Sequence, residues 1–565
     1  MRVDSIFQLV ARVPLSRLIF TLAVGFACIS SSHSPSRAES PQAGNNVIPD
    51  LVASGKLDDL RWPDFPDYKN HLTSFYESNS YQPAWIQGGK PTPQALSMIG
   101  LFKEAWKRGL EAEDYDASRW DDRVRTIQSS GTDPGRFDVA LTVCTMRFVS
   151  DLRIGRIDPQ HFKFGLSVEQ KKYDLAHFVR ERLLPASDLP AVIDSVEPQF
   201  KGYLRTQEAL VRYVELAGQD KYEELPASPK PIDPGQTYAG VPRLARFLRL
   251  VGDLSPNATL PADSQTYDAA LVEAVKHFQR RHGLKDDGRL GADTLKQLNV
   301  PLSDRVRQLQ FALERWRWLP PEFSAPPIVV NIPDFHLRAL DEKNNIVLDM
   351  RVVVGKSLPT QTPVFSRDMT YVVLRPYWNV PPSILRSEIV RNIQRDRNYI
   401  ANKRYEVTTR DGTVVTSGVI SDEVLADLKA GKLAVRQKPG PANALGLVKL
   451  MFPNEFNVYL HSTPAPELFS RTRRDFSHGC IRVEKPAELA AWALRNNSGW
   501  DVSRVKQSMD QGKDNVTVTL NRRVPVFIVY ATALAYENGE VHFYNDIYGH
   551  DARLAQALAK GYPYP

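Results

Sequence analysis

Cysteine is scarce in this chain: 565 residues contain three, Cys28, Cys144 and Cys480. So few cysteines exclude a disulfide-stapled scaffold. Cys144 lies in an apolar, helix-like run (residues 138–149), which indicates a small buried core residue. Cys480 has polar and glycine neighbours instead, so its role has to be sought in chemistry.

Long hydrophobic runs are also lacking, and the one candidate lies near the start of the chain. Residues 18–29 are apolar, follow a basic segment and are too short to favour a membrane span. Small residues up to Ala38 suit signal-peptidase cleavage, so we predict a cleavable signal peptide over residues 1–38 and a periplasmic mature protein. An uncleaved anchor is the alternative, as is lipidation at Cys28, whose preceding residues fit a lipobox poorly.

A dense cluster of one charge sign is missing as well. The net charge is +7 at pH 7 and no basic stripe stands out, so nucleic acid is not an expected partner. Mild basicity suits an anionic polymer without requiring one. Hydrophobic residues make up 42% of a chain too long for one ordinary domain, which indicates several globular domains.

The periodicity of apolar residues predicts a multidomain α+β protein. Apolar residues spaced by three and four, as in residues 93–108, favour helices, whereas alternation from residue 326 onward favours strands. The predicted parts are a helical scaffold domain with linkers (39–250), including a proline-rich connection (224–237), a small helical unit (264–300), and a mainly β domain (326–550) with a helical insertion (about 383–440).

The segment around Cys480 is the one that suggests catalysis. His478 and Gly479 precede it, Arg482 follows, and His461 ends a predicted strand 19 positions upstream. A cysteine nucleophile needs its thiolate, which an imidazole base can generate, and glycine lets a substrate approach the backbone. Taken singly, these residues could be a core cysteine, a satisfied histidine or a structural ion pair; metal ligation lacks the paired spacing of a zinc site.

Together they resemble a known family. Residues 458–486 resemble the catalytic signature of the YkuD-type L,D-transpeptidases: a histidine ending a strand, a variable loop, then Ser-His-Gly-Cys-x-Arg. Stretches within residues 313–320, 375–384, 436–448 and 525–551 agree with its large YcbB-like subgroup. Residues 274–299 resemble the peptidoglycan-binding helical repeat. The resemblance covers about residues 300–550 well, the repeat moderately and residues 60–220 faintly.

The resemblance implies a role for each matching residue. Cys480 would be the nucleophile and His461 the general base, with His478 and Ser462 holding the imidazole and the Gly479 and Cys480 N–H groups forming an oxyanion hole. The implied substrate-binding positions are Arg482, Ser462, Ser477, Asn443, Gly446, Tyr377 and Trp378. The two aromatic residues could equally belong to the core. The loop before the motif carries Arg471, Arg473 and Arg474, which could attract acidic stem peptides or simply be solvated.

The implied substrates are peptidoglycan stem peptides and glycan, with no metal or organic cofactor. Cys480 would attack the L-centre carbonyl of diaminopimelate at stem position three, expel D-Ala, and pass the acyl group to an amine to form a 3→3 cross-link. Carbapenems would acylate the same thiol. Two alternatives stay open: hydrolysis of the thioester, giving an L,D-carboxypeptidase, and a non-catalytic wall-binding protein. The acceptor and any further cell-wall or outer-membrane partners are left open.

Overall fold

The computed structural model describes residues 47–130, 133–172, 174–260 and 265–561. The predicted signal peptide, its cleavage site and Cys28 lie outside these ranges. Within them, no helix combines the length and the hydropathy that crossing a bilayer requires.

The first part is a helical domain built around one long buried helix. Its elements are α1 (Ile48–Ser54), α2 (Lys69–Glu77), a two-strand ribbon of β1 (Ile86–Gln87) and β2 (Lys90–Pro91), α3 (Pro93–Lys103), α4 (Trp120–Ser130), α5 (Pro134–Ile154), α6 (Leu175–Phe178) and α7 (Leu189–Asp194). Pro134 starts α5, and the Asp133 side chain caps it. Helix α5 is buried on nearly every side, because the other helices pack around it.

A second core joins the small helical unit to its neighbours. It contains α8 (Lys201–Gln219), α9 (Val241–Leu250), α10 (Ala269–Arg281), α11 (Ala292–Leu298) and α12 (Leu302–Trp316), packed against residues 533–543. The boundary predicted at residue 250 therefore does not coincide with a break between cores, since α9 packs with the repeat. The proline-rich connection is less exposed than expected: Leu225 and Ile232 are buried, and Ile232 bridges to Leu290 through the backbone.

The third part is the β domain. Its strands are β3 (Ile328–Asn331), β4 (His336–Leu340), β5 (Ile346–Gly355), β6 (Phe365–Leu374), β7 (Trp378–Asn379), β8 (Tyr405–Thr408), β9 (Val414–Thr416), β10 (Ala434–Gln437), β11 (Val448–Met451), β12 (Leu460–His461), β13 (Asp475–Ser477), β14 (Ile481–Val483), β15 (Val516–Val529), β16 (Ala533–Ala535) and β17 (Val541–Phe543). Its helices are α13 (Pro382–Ile384), α14 (Val390–Arg395), α15 (Tyr399–Asn402), α16 (Asp422–Lys429), α17 (Pro486–Ala493), α18 (Val502–Gln511) and α19 (His550–Leu558).

Nine strands form the main sheet, in the order β13-β5-β14-β12-β11-β6-β15-β3-β4, with β5 also paired to β4. The insertion has its own sheet, β7-β10-β8-β9, and its own apolar core. This architecture confirms the predicted multidomain α+β class. The strand predicted over residues 458–461 shrinks to β12, because Asn457 has a φ of 55° and the Asn454 side chain bonds the chain around it into a turn.

Candidate active site

The register of two parallel strands sets the geometry of the site. Leu460 pairs with Ile481 and His461 with Arg482, across β12 and β14. Successive side chains on a strand point to opposite faces. Leu460 and Ile481 are fully buried in the core, so His461 and Arg482 lie together on the other face.

The same alternation extends that face in both directions. Tyr459 and Cys480 stand two positions before His461 and Arg482, and the Ile481 N–H bonds the Tyr459 carbonyl. On the other side, β11 pairs Lys449 with His461. The Tyr459 and His461 rings meet edge to face at 5.7 Å. Five functional side chains are therefore gathered on one face by three neighbouring strands.

The Cys480 sulfur is half-buried and well supplied with donors. In the thiol form its S–H donates to the Asn457 carbonyl at 3.7 Å. Burial raises the pKa of the Cys480 thiol, while hydrogen bonds from the Tyr459 N–H and phenol, and the charges of Lys449 and Arg482, offset part of that rise. These neighbours thus make the thiolate of Cys480 more stable than it would be if burial acted alone.

The His461 imidazole is held in one tautomer. It is only 4% exposed, and its Nδ1 lies 2.5 Å from the Ser462 carbonyl oxygen. Since a carbonyl can only accept, Nδ1 carries the proton in this contact, and Nε2 of the neutral ring then has none. The Leu445 carbonyl also contacts the ring. Burial and then the positive charge of Arg482 lower the pKa of His461 to about 3, so the ring is neutral at neutral pH.

Ser477 and Gly479 shape the turn that presents the thiol. The Ser477 hydroxyl donates to the Cys480 carbonyl at 2.5 Å and accepts the Gly479 N–H at 3.1 Å. Gly479 has a φ of 116°, and its carbonyl accepts the Thr362 hydroxyl at 2.7 Å. Because the Gly479 N–H is already bonded, the Cys480 N–H is the better candidate donor to an oxyanion.

Two cations on this face lack a carboxylate partner among the described residues. The Arg482 Nε is buried without any hydrogen-bond acceptor there, although the charge of Glu467 acts on the guanidinium. The Lys449 ammonium lies 4.0 Å from the centre of the Tyr459 ring. Buried donors are normally satisfied, so an orphaned guanidinium beside a thiol points to an anionic ligand.

His478, which was expected to hold the His461 imidazole, bonds a carboxylate of the insertion. It is exposed, and its Nε2 lies 2.7 Å from Glu388 in the insertion. The backbone carbonyl of Ser462 holds the His461 ring, while His478 connects the motif to the insertion.

Asn443 and Gly446 organise the wall behind His461. The Asn443 amide donates to the carbonyls of Pro376 and Lys438, and its oxygen accepts the Leu445 N–H. Gly446 has a φ of 60°, and a Cβ there would come within 2.5 Å of the Ser462 hydroxyl. Both residues therefore shape the loop on which Ser462 rests.

The two predicted cleft aromatics differ in their connection to the thiol. The Trp378 indole hydrogen-bonds the Tyr459 phenol, which in turn reaches the Cys480 sulfur. Tyr377 lies under the guanidinium of Arg436, at 4.4 Å, on the insertion side.

Sequence reasoning missed Lys449 and Tyr459. Tyr459 could have been found from its place two residues before His461, since alternation puts both on one face. Lys449 carries no local signal, because only the pairing of β11 with β12 brings it to the site.

Comparison with known proteins matches three segments of the chain to family models. Residues 326–526 match the family model described as "L,D-transpeptidase catalytic domain", residues 238–298 the "Putative peptidoglycan binding domain" and residues 70–210 the "Scaffold domain". A Haemophilus influenzae protein named "Putative L,D-transpeptidase" is 32% identical over 261 residues, which is 46% of this chain and 50% of that protein. The match thus spans about half the length of the relative.

A crystal structure of an L,D-transpeptidase from Stackebrandtia nassauensis aligns at 14% identity over 53% of this chain and 94% of that one. Its TM-score of 0.21 is too low to carry an argument. The matches to the family models show that this chain contains an L,D-transpeptidase catalytic domain, accompanied by a peptidoglycan-binding domain and a scaffold domain.

Proposed function

We propose that the protein is a periplasmic, cysteine-dependent L,D-transpeptidase that forms 3→3 cross-links between peptidoglycan stem peptides. The observation that carries the proposal is the shared sheet face of Cys480 and His461, with the imidazole fixed so that Nε2 is free to take a proton. A nucleophile and a base held by a third group are the requirements of acyl transfer through a covalent intermediate.

In the first step, the Cys480 thiol loses its proton to Nε2 of His461. The sulfur attacks the carbonyl of the third, L-centre residue of a tetrapeptide stem, and the Cys480 N–H stabilises the oxyanion. Collapse breaks the amide bond, and D-Ala leaves with the proton returned by His461. The product is a thioester on Cys480 and free D-Ala.

In the second step, the side-chain amine of another stem peptide attacks the thioester. Its proton passes to His461, the C–S bond breaks, and the thiol regains its proton. A new amide bond is the cross-link. Water as the attacking group would give a tripeptide and L,D-carboxypeptidase activity with the same residues.

Arg482 is proposed to bind a carboxylate of the stem peptide. Its orphaned Nε offers a charge-assisted hydrogen bond, and Lys449 adds a second positive charge to the same face. The same pair would attract the carboxylate of a carbapenem toward Cys480.

The deciding experiment uses the chain from Glu39 onward with a soluble disaccharide-tetrapeptide, products being read by mass spectrometry beside Cys480→Ala. A cross-linked dimer that has lost D-Ala, absent from the variant, supports the proposal. Tripeptide alone assigns hydrolysis instead. Intact substrate with the wild-type chain, tested also with free D-amino acids as acceptors, supports the wall-binding alternative.

A further inference from the structure

A large cleft separates the peptidoglycan-binding repeat from the catalytic domain and is distinct from the Cys480 face. Its volume is about 1100 Å³. One wall comes from the end of α10 and from α11. The other comes from the start of β4, the loop 472–474 before the catalytic motif, and residues 536–547.

The cleft is preformed, because polar contacts fix the repeat on the catalytic domain. His277 of α10 bonds both Asp253 and Glu540. Gln297 of α11 bonds Asn545 at 2.8 Å, and the buried Arg281 reaches the Val541 carbonyl. A ligand would therefore meet two walls in a set arrangement, at little cost in ordering them.

Most carboxylates in the walls are engaged by the protein itself. Asp334 is fully buried and paired with Arg338, and Asp546 accepts from Tyr530 and from amides at the start of α19. Asp287 likewise accepts from a backbone amide and from Gln279. These groups add little negative potential to the open space.

The cations of the walls face the solvent. Lys285 is 79% exposed, with only a 3.5 Å pair to Asp287, and Arg473 is 66% exposed although it is paired with Asp475 at 2.7 Å. Lys296 is exposed and forms no ion pair within the described chain. Asp293 of the repeat wall is exposed as well, so the surplus of positive charge there is small, and the catalytic wall offers the solvent-facing edge of the Arg473 guanidinium. Both features suit an anionic ligand.

Aromatic rings supply an apolar surface beneath this rim. Tyr536 and Tyr544 are both half-buried, and Tyr544 packs against Gly283 of the repeat. A Cβ on Gly283 would lie 3.0 Å from that ring. Amphipathic rings beside charged groups suit a ligand with both sugar faces and carboxylates.

The catalytic wall of the cleft leads along the chain to the turn that carries the nucleophile. Arg474 is buried, and its guanidinium donates to the carbonyls of Val352 and Phe335. It thereby fixes the loop that bears Arg473 and leads directly into β13 and Ser477. A polymer lying in the cleft would be held beside the active-site domain at a defined position.

We propose that this cleft binds a glycan strand bearing acidic stem peptides, gripped jointly by the repeat and the catalytic domain, while a stem of the same polymer is processed at Cys480. The identity of the polymer rests on the proposed function. The two-walled site itself rests on the lining residues alone.

The test measures co-sedimentation with isolated sacculi in a Cys480→Ala background, so that binding is read without turnover. The repeat-wall variant is Lys285→Glu/Lys296→Glu. The catalytic-wall variant is Arg473→Gln/Asp475→Asn. It replaces an ion pair with two neutral amides that can still form hydrogen bonds, so no unpaired carboxylate is left. The control is Lys343→Glu/Lys513→Glu, two exposed lysines outside the cleft. Each wall variant is expected to weaken binding about fivefold or more, with the control within about twofold.

Three results would overturn the proposal. If the wall variants bind sacculi as well as the control does, the cleft is not the binding site. A loss confined to the repeat-wall variant, with thermal unfolding unchanged in both, removes the joint grip. If polyglutamate competes as well as soluble glycan-peptide fragments of equal charge, the cleft recognises negative charge and not glycan. If the soluble-substrate assay shows no turnover, only the proposed catalysis is refuted, since sacculus binding is measured without the nucleophile.

Discussion

The chain holds two cysteines within its described residues, and their surroundings differ in kind. Cys144 lies on α5 in the scaffold core, fully buried, and desolvation raises the pKa of its thiol to about 12. Cys480 is also desolvated, but it opens on a sheet face beside Lys449, Arg482 and a neutral imidazole. A thiol that is buried on all sides is unreactive. A thiol that is buried on one side and faces cations, hydrogen-bond donors and a base on the other can react as a thiolate.

The difference follows from how each element is covered. Helix α5 is packed on all sides, so no substrate can approach its sulfur. In the nine-stranded sheet, Leu460 and Ile481 enter the core on one face, and the alternation of side chains gathers polar groups on the other.

The largest effect is expected from exchanging the two thiols for alanine. Cys480→Ala should reduce cross-linking by about 10⁴-fold or more, because the covalent route is lost. Cys144→Ala should leave kcat/KM within about twofold and cost about 1–2 kcal/mol of stability, since it opens a small cavity in the scaffold core. Turnover assays and denaturant unfolding measure the two effects.

Labelling separates the regions without any substrate. Iodoacetamide should modify the folded chain from Glu39 at Cys480 only, as read by peptide mass spectrometry, and should reach Cys144 after denaturation. Equal labelling of both thiols under native conditions would contradict the comparison.

Arg482→Met should give the next largest effect. Loss of a charge-assisted hydrogen bond to a substrate carboxylate is expected to lower kcat/KM by about 10- to 100-fold, mainly through KM. Arg482→Lys should recover part of it. The matched control is Arg367→Met, which removes a surface ion pair with Glu455 and should change kcat/KM less than about twofold. An unchanged KM in Arg482→Met would refute the carboxylate contact.

Gly446→Ala tests the wall that supports the imidazole. Its positive φ costs about 1 kcal/mol with any side chain, and its Cβ would also push Ser462, whose carbonyl holds His461. We expect kcat/KM to fall about tenfold. Gly499→Ala provides the same strain, with a φ of 76° and nothing within 4 Å. If both variants lose equal activity, the effect is stability alone, which thermal unfolding would show.

Much of this organisation could be predicted from local patterns. The spacing of apolar residues is sufficient to predict α5, α10 and β4. The Ser-His-Gly-Cys-x-Arg segment with an upstream histidine is sufficient to single out Cys480 and His461 as candidate catalytic residues. Ser477, Gly479 and Arg482 follow from the same short segment, because its turn is made by neighbouring residues.

What could not be predicted depends on contacts across the fold. His478 turns to Glu388 because the insertion folds over the motif, and no local pattern encodes that pairing. Ile232 is buried because it meets Leu290, although prolines around it favour an exposed segment. Lys449 reaches the site through strand register alone, which is set by the whole sheet.

Lys449→Met gives the smallest and most specific effect. Removing this cation withdraws a charge that lowers the pKa of Cys480, so the pKa should rise further and less thiolate should be present at pH 7. Iodoacetamide labelling should slow about three- to tenfold, with its pH profile displaced upward, while Lys513→Met should change neither. His461 should add no inflection near pH 6.5, because its pKa of about 3 keeps the ring neutral throughout that range. An unshifted profile in Lys449→Met would mean that the Tyr459 donors and the Arg482 charge, without Lys449, distinguish the Cys480 region from that of Cys144.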